Sequence, residues 1–148
     1  MFLGMLEDHQ KADFLVLASK VAAADGEDSA DEQEALDELK REMNYTGDVD
    51  MSRVLGGVKV NSFDTHKSRV IVALELLLIA YADEYVHEAE IQIVRDVSFA
   101  MNFNDEWLAV MGDWATRYTE LMQEEKDEVW QKYFDGLMAH AQAMMEVA

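Results

Sequence analysis

Apolar residues recur at spacings of three and four along almost the whole chain, and the every-second-residue alternation of a half-buried strand is scarce. Phe14, Leu15, Leu17, Ala18, Val21 and Ala22 mark a first helix from about His9 to Ala24. Gly26 suits the left-handed position that ends a helix. Ser29-Ala-Asp-Glu32 has the form of a capping box, so a second helix is predicted to start at Ser29, with Ala35, Leu36, Leu39 and Met43 as its apolar stripe. A short helix is expected after Asp50, and Gly56-Gly57 makes a joint. From about Asp64 to Ala82 the chain is apolar on nearly every side, the pattern of a surrounded, central helix. Glu75 interrupts that run and is expected on its least covered side. Further helices are predicted from Val86 to Met101, from a cap at Asn104 through Trp107, Trp114 and Leu121, and from Asp127 to Val147. Met138, Met144 and Met145 of the last helix are expected near one another, with the option of a partner groove along their edge. The fold class is therefore all-α, a helical bundle of six to seven helices in a single domain spanning residues 1–148.

The pattern also repeats. A shift of 58 residues lays Ala22 on Ala80, Asp25 on Asp83, Glu32 on Glu90, Met43 on Met101 and Asn44 on Asn102. Apolar positions agree in the same register: Val16 with Leu74, Leu36 with Val94, Leu39 with Val97. The register holds through two loops without a gap, which favours a true duplication covering about residues 14–48 and 72–106. The bundle is then expected to rest on two pseudo-symmetric helical hairpins, each with an acidic elbow.

Charge narrows the functions. Against 12 Lys and Arg stand 31 Asp and Glu, a net charge of −19. Such a chain repels nucleic acid and anionic membrane faces and favours cations and basic proteins. No cysteine is present, which excludes a thiolate zinc site, an iron–sulfur cluster and thiol redox chemistry by this chain. The apolar start Met1–Leu6 lacks a basic flank, and the run Val70–Ala82 is shorter than the roughly 20 residues that cross a bilayer. The expectation is a cytoplasmic protein with no membrane insertion.

The elbows read Ala24-Asp-Gly-Glu-Asp-Ser-Ala-Asp-Glu32 and Ala82-Asp-Glu-Tyr-Val-His-Glu-Ala-Glu90. Acids at a helix start are favoured by its dipole, but Asp25 and Asp83 stand where a helix ends, and there a carboxylate costs about 0.3–1 kcal/mol. A bound cation or a basic partner relieves that cost. Asp25 with Glu32, and Asp83 with Glu90, can converge across their elbows as oxygen-only ligands, which select Ca²⁺, Mg²⁺ or Mn²⁺. The spacing is not that of an EF-hand, whose first and third ligand positions would fall on Val21 and Ala23. Read without ligands, Glu32 is a capping residue and Asp25-Gly26 an ordinary turn.

The pattern Ala22-Ala-Ala-Asp25-Gly26-Glu27 with Glu32, then Ala80-Tyr-Ala-Asp83 with Glu90, resembles the tellurite-resistance TerB-like family over about residues 10–110. The resemblance implies an all-helical bundle of two related halves and a role in tellurite and chemical-stress resistance. It also implies divalent-cation binding at Asp25, Glu32, Asp83 and Glu90, and protein partners in a membrane-associated stress complex. Glu84 stands where the first repeat has Gly26, a departure that disfavours the left-handed turn in the second elbow. With no thiol and a large negative charge, such a protein acts by ion binding, sensing or scaffolding, not by reducing an oxyanion.

Other chemistry is sparse. His87 precedes Glu90 by three residues and could share a metal with it, or be a surface residue. His9, His66 and His140 have no partners at motif spacing. Glu84 with His87 is the one Glu-x-x-His spacing, whereas a di-iron bundle needs two. No nucleophilic serine elbow, phosphate-binding glycine loop or zinc-protease motif occurs, so no catalytic residue and no organic cofactor is expected. The reading is a non-enzymatic stress protein that binds a divalent cation and docks to partners. The alternatives are a plain interaction scaffold with an acidic surface and, below it, a metal-dependent hydrolase. The oligomeric state is left open.

Overall fold

Thr65 opens the helix around which the others assemble. Its hydroxyl accepts the Ser68 N–H at 3.1 Å, and the Ser68 hydroxyl accepts the Thr65 N–H at 3.2 Å, so two donors that the first turn leaves unpaired are satisfied. The computed structural model describes residues 1–24, 30–82 and 87–146, with the side chains of residues 30–32 outside that description. Within those residues the elements are α1 (Asp8–Ala23), α2 (Ala30–Met43), α3 (Met51–Val54), α4 (His66–Ala80), α5 (Glu88–Ala100), α6 (Asp105–Leu121) and α7 (Glu128–Glu146). A 3-10 turn at Leu3–Met5 precedes them. The fold class is the expected one: an all-helical bundle, with no strand among the described residues.

α4 packs against α1, α5, α6 and α7 and is buried without a break from Val70 to Leu77. An apolar helix with no polar face needs this position, and each fully buried Leu or Ile there contributes about 1.5–3 kcal/mol. α1 is enclosed almost as completely, from Phe14 to Val21, because α2, α3, α4 and α5 all lie against it. That enclosure takes in Lys20, which is 8% exposed. Its ammonium donates to the carbonyls of Val54 (2.7 Å) and Gly56, and so ties down the end of α3.

The α6–α7 hairpin is set by its caps and its tryptophans. Asn104 accepts the Trp107 N–H at 2.9 Å and Asp127 accepts the Trp130 N–H at 2.8 Å. The Trp114 indole donates to Leu137 O (2.8 Å) and the Trp130 indole to Leu121 O (2.7 Å), which pins the two helices together at both levels. Met144 and Met145 are buried in the core, so the expected methionine edge is not a surface groove. Tyr133, three residues after the buried Trp130 and so at core spacing, is 65% exposed.

Glu75 corrects the expectation of a position on the least covered side: it is 4% exposed. The segment before α1 folds over it. The Phe2 N–H donates to Glu75 Oε1 at 2.8 Å, and the Met1 ammonium lies 3.3 Å from the same oxygen while also pairing with Glu42 of α2. Phe2 and Leu3 are buried, with the Phe2 ring 6.0 Å from that of Trp114.

The ends of α2 and α5 are alike. Asn44 (φ 54°) and Asn102 (φ 69°) adopt the left-handed conformation 58 residues apart. The following Tyr45 N–H returns to Lys40 O at 2.9 Å, and Phe103 N–H to Ser98 O at 3.0 Å, the six-residue closure of a Schellman turn. The hairpins do not pair equivalently, however. α5 lies along α1, whereas α2 rests chiefly on α1 and on the Leu3–Met5 turn. The N-terminal segment, bonded to Glu42 on one side and Glu75 on the other, is wedged where α2 would otherwise meet α4. Among the described residues no helix is long and apolar enough to cross a membrane.

Candidate functional site

α1 ends at Ala23, where Ala24 N–H returns to Val21 O at 3.2 Å, and α2 resumes at Ala30. Asp25 falls between them, outside the described residues, and so does the Ser29 end of the predicted capping box. Glu32 belongs to the first turn of α2, but its side chain is also outside the description. α4 closes with Tyr81 N–H on Leu77 O (2.9 Å), Asp83 and Glu84 lie outside the described residues, and α5 starts at Glu88.

Glu90 is therefore the one predicted ligand whose side chain is described. It sits in the first turn of α5, two residues after Glu88, and is only 5% exposed. A carboxylate so deeply buried costs several kcal/mol unless charge or hydrogen bonds compensate. The positive end of the α5 dipole contributes part of that compensation. His87 is the residue before α5, with its carbonyl receiving the Ile91 N–H at 3.1 Å. Among the described residues no three His, Asp or Glu side chains come close enough to hold a metal. A complete ligand set at the elbows thus depends on Asp25, Glu32 and Asp83 joining Glu90.

Beside the second elbow α5 and α6 stand apart, and a cleft of about 400 Å³ opens between them. Leu77 and Tyr81 line it from α4, and Arg95, Asp105 and Asp113 bring charge to it. On α1, a hollow of about 260 Å³ lies against Arg53 and Gly56-Gly57. The hydrogen bonds that serine hydroxyls donate among the described residues go to backbone carbonyls or to Asp50, not to a histidine. His66, which has no partner at motif spacing, bonds through Nε2 to Met144 O at 2.7 Å and packs edge-on to Trp107 at 5.3 Å. It joins α4 to α7 as a structural group.

Sequence reasoning missed two buried charges. Glu75 could have been found by one rule: a lone carboxylate in a helix with no polar face must meet a cation or donors inside the protein. Burial pushes its carboxyl above the ordinary 4.5, and Glu42 pushes the same way, while the amino terminus and the Phe2 N–H pull it back. Lys20 carried no such signal, because it falls at the edge of the α1 stripe; burial lowers its ammonium below the usual 10.5. No protein-family model matches the chain, and no curated protein or solved structure matches it either.

Proposed function

We propose that this chain is a non-enzymatic, cytoplasmic stress protein of the TerB-like kind, which binds a divalent cation through Asp25, Glu32, Asp83 and Glu90 and docks to protein partners. The observation that carries the reading is the buried carboxylate of Glu90 at the start of α5, directly after an acidic elbow. The like Schellman turns at Asn44 and Asn102 are 58 residues apart, the same shift that lays Asp25 on Asp83 and Glu32 on Glu90 in the sequence, which supports reading the two elbows as a pair. Hard cations fit the donors: oxygen ligands only, with no thiolate in the chain. Calorimetric titration of the whole chain with Ca²⁺, Mg²⁺ and Mn²⁺ is expected to give saturable heat with at least one ion. That heat should fall in Asp25→Asn and in Asp83→Asn. No heat from the wild-type chain at millimolar ion removes the cation half of the proposal.

A second reading rests on the net charge of −19, with no metal-holding cluster among the described residues. Here the acidic surface alone recruits a basic protein. It predicts capture of that partner that weakens with salt and is indifferent to chelator. A metal-dependent hydrolase ranks below both, since the sequence carries no nucleophilic serine elbow, phosphate-binding glycine loop or zinc-protease motif.

A further inference from the structure

We propose that the groove between α6 and α7 docks a basic, amphipathic helix of a partner protein. This deepens the docking half of the function proposed above and rests on it, but it uses no residue of the elbows. The groove encloses about 640 Å³. Its apolar surface is the ring of Tyr133, 65% exposed, and the half-buried Leu137, with Leu121, itself only 6% exposed, also in the lining. Its walls are fixed, because the Trp114 and Trp130 indoles bond across the hairpin to Leu137 O and Leu121 O. The lining runs from Asp113 to Glu124 on one side. Asp113 to Leu121 is the helical part of that side, at about 1.5 Å per residue roughly two turns, enough to contact a short helical ligand.

The charge selects the occupant. Asp113 and Arg117 neutralise each other at 2.8 Å. Glu120 and Glu124 remain, at the negative end of α6, where the last turn holds no basic residue. Lys132 and His140 face them from α7; with histidine counted as neutral, as in the chain's net charge of −19, Asp113, Glu120 and Glu124 against Arg117 and Lys132 leave the lining one net negative charge. A second copy of this chain would be repelled, and a helix carrying Lys or Arg beside its apolar face is attracted.

Gly136 gives independent support. Glycine is a poor helix former, yet it stands in the middle of α7. A methyl group there would meet no atom within 4 Å, so no packing requires its absence. It lines the groove, and its missing side chain leaves room for a ligand.

The test is fluorescence anisotropy with a labelled amphipathic peptide of leucine and lysine, in EDTA so that the result is independent of cation binding. The variants are Glu120→Lys with Glu124→Lys, Gly136→Leu, and a charge-matched control on α2, Glu34→Lys with Glu38→Lys, all checked for helicity by circular dichroism. Saturable binding is expected to weaken about tenfold or more in the two groove variants and to stay within about twofold in the α2 control. No saturable binding by the wild-type chain, equal weakening by both charge-reversed pairs, or undiminished binding by Gly136→Leu would each overturn the assignment.

Discussion

Glu75 shows how one residue can carry both a cost and a contact. Its carboxylate is desolvated by α4 and its neighbours, and it faces the Met1 ammonium, the Phe2 N–H, Glu42 of α2 and the Tyr118 hydroxyl of α6. Burial raises the Tyr118 phenol as well, with Glu75 and Glu42 adding to it. Because the folded chain holds the Glu75 proton more tightly than the unfolded chain, this group favours folding most at low pH. That contribution declines as pH rises from about 4.5 through the raised value. Glu75→Gln keeps an acceptor for Phe2 and removes the buried charge. Its stability relative to wild type, from urea unfolding, is expected to improve as pH rises above about 4.5 through the raised value. A difference that stays flat across that range would refute the assignment. The run of apolar residues made Glu75 conspicuous, but its partners lie more than 70 positions away in Met1 and Phe2. No local pattern links such positions. Lys20 and His66 were hidden for the same reason, since each bonds to a backbone carbonyl on a distant element.

At the scale of elements, the sequence was most legible where structure is local. The caps at Asp50, Asn104 and Asp127, the surrounded character of α4 and the order of the helices all follow from nearest-neighbour chemistry. Helix bounds shifted by one or two residues where final turns tighten, as at Ala82 N–H on Ile79 O. Burial was less legible, since Tyr133 has the right spacing for the core stripe and is exposed all the same. The two left-handed asparagines test how alike the hairpins are. In this conformation a Cβ crowds the backbone, and asparagine offsets the cost where alanine does not. Asn44→Ala and Asn102→Ala are each expected to lose about 1 kcal/mol, and Asn44→Gly and Asn102→Gly to recover it. Thermal unfolding that shows a penalty at only one of the two positions would mean that the turns do not bear equal loads.

For the whole molecule, a net charge of −19 places a large self-repulsion on a bundle whose interior is well filled. The 58-residue register expected from the chain has like turns at Asn44 and Asn102 in the fold, but the two hairpins do not pair equivalently. The wedge of Met1–Leu6 between α2 and α4 was not visible, because nothing in those residues states which helices they separate. The candidate site was legible as residue types at a spacing; of its four acids, Glu90 alone has a described side chain. Any ion that binds only the folded state must stabilise it, by about 1.4 kcal/mol at tenfold excess over Kd. For a chain of this size that is a rise of a few degrees in Tm. The most direct measurement is thermal unfolding in millimolar Ca²⁺ or Mn²⁺ against sodium chloride of equal ionic strength. The wild-type chain is expected to gain those degrees over the salt control, and the Asp25→Asn, Glu90→Gln double variant to gain none. Equal Tm in the divalent and sodium solutions, or an undiminished rise in the double variant, would contradict cation binding at the elbows.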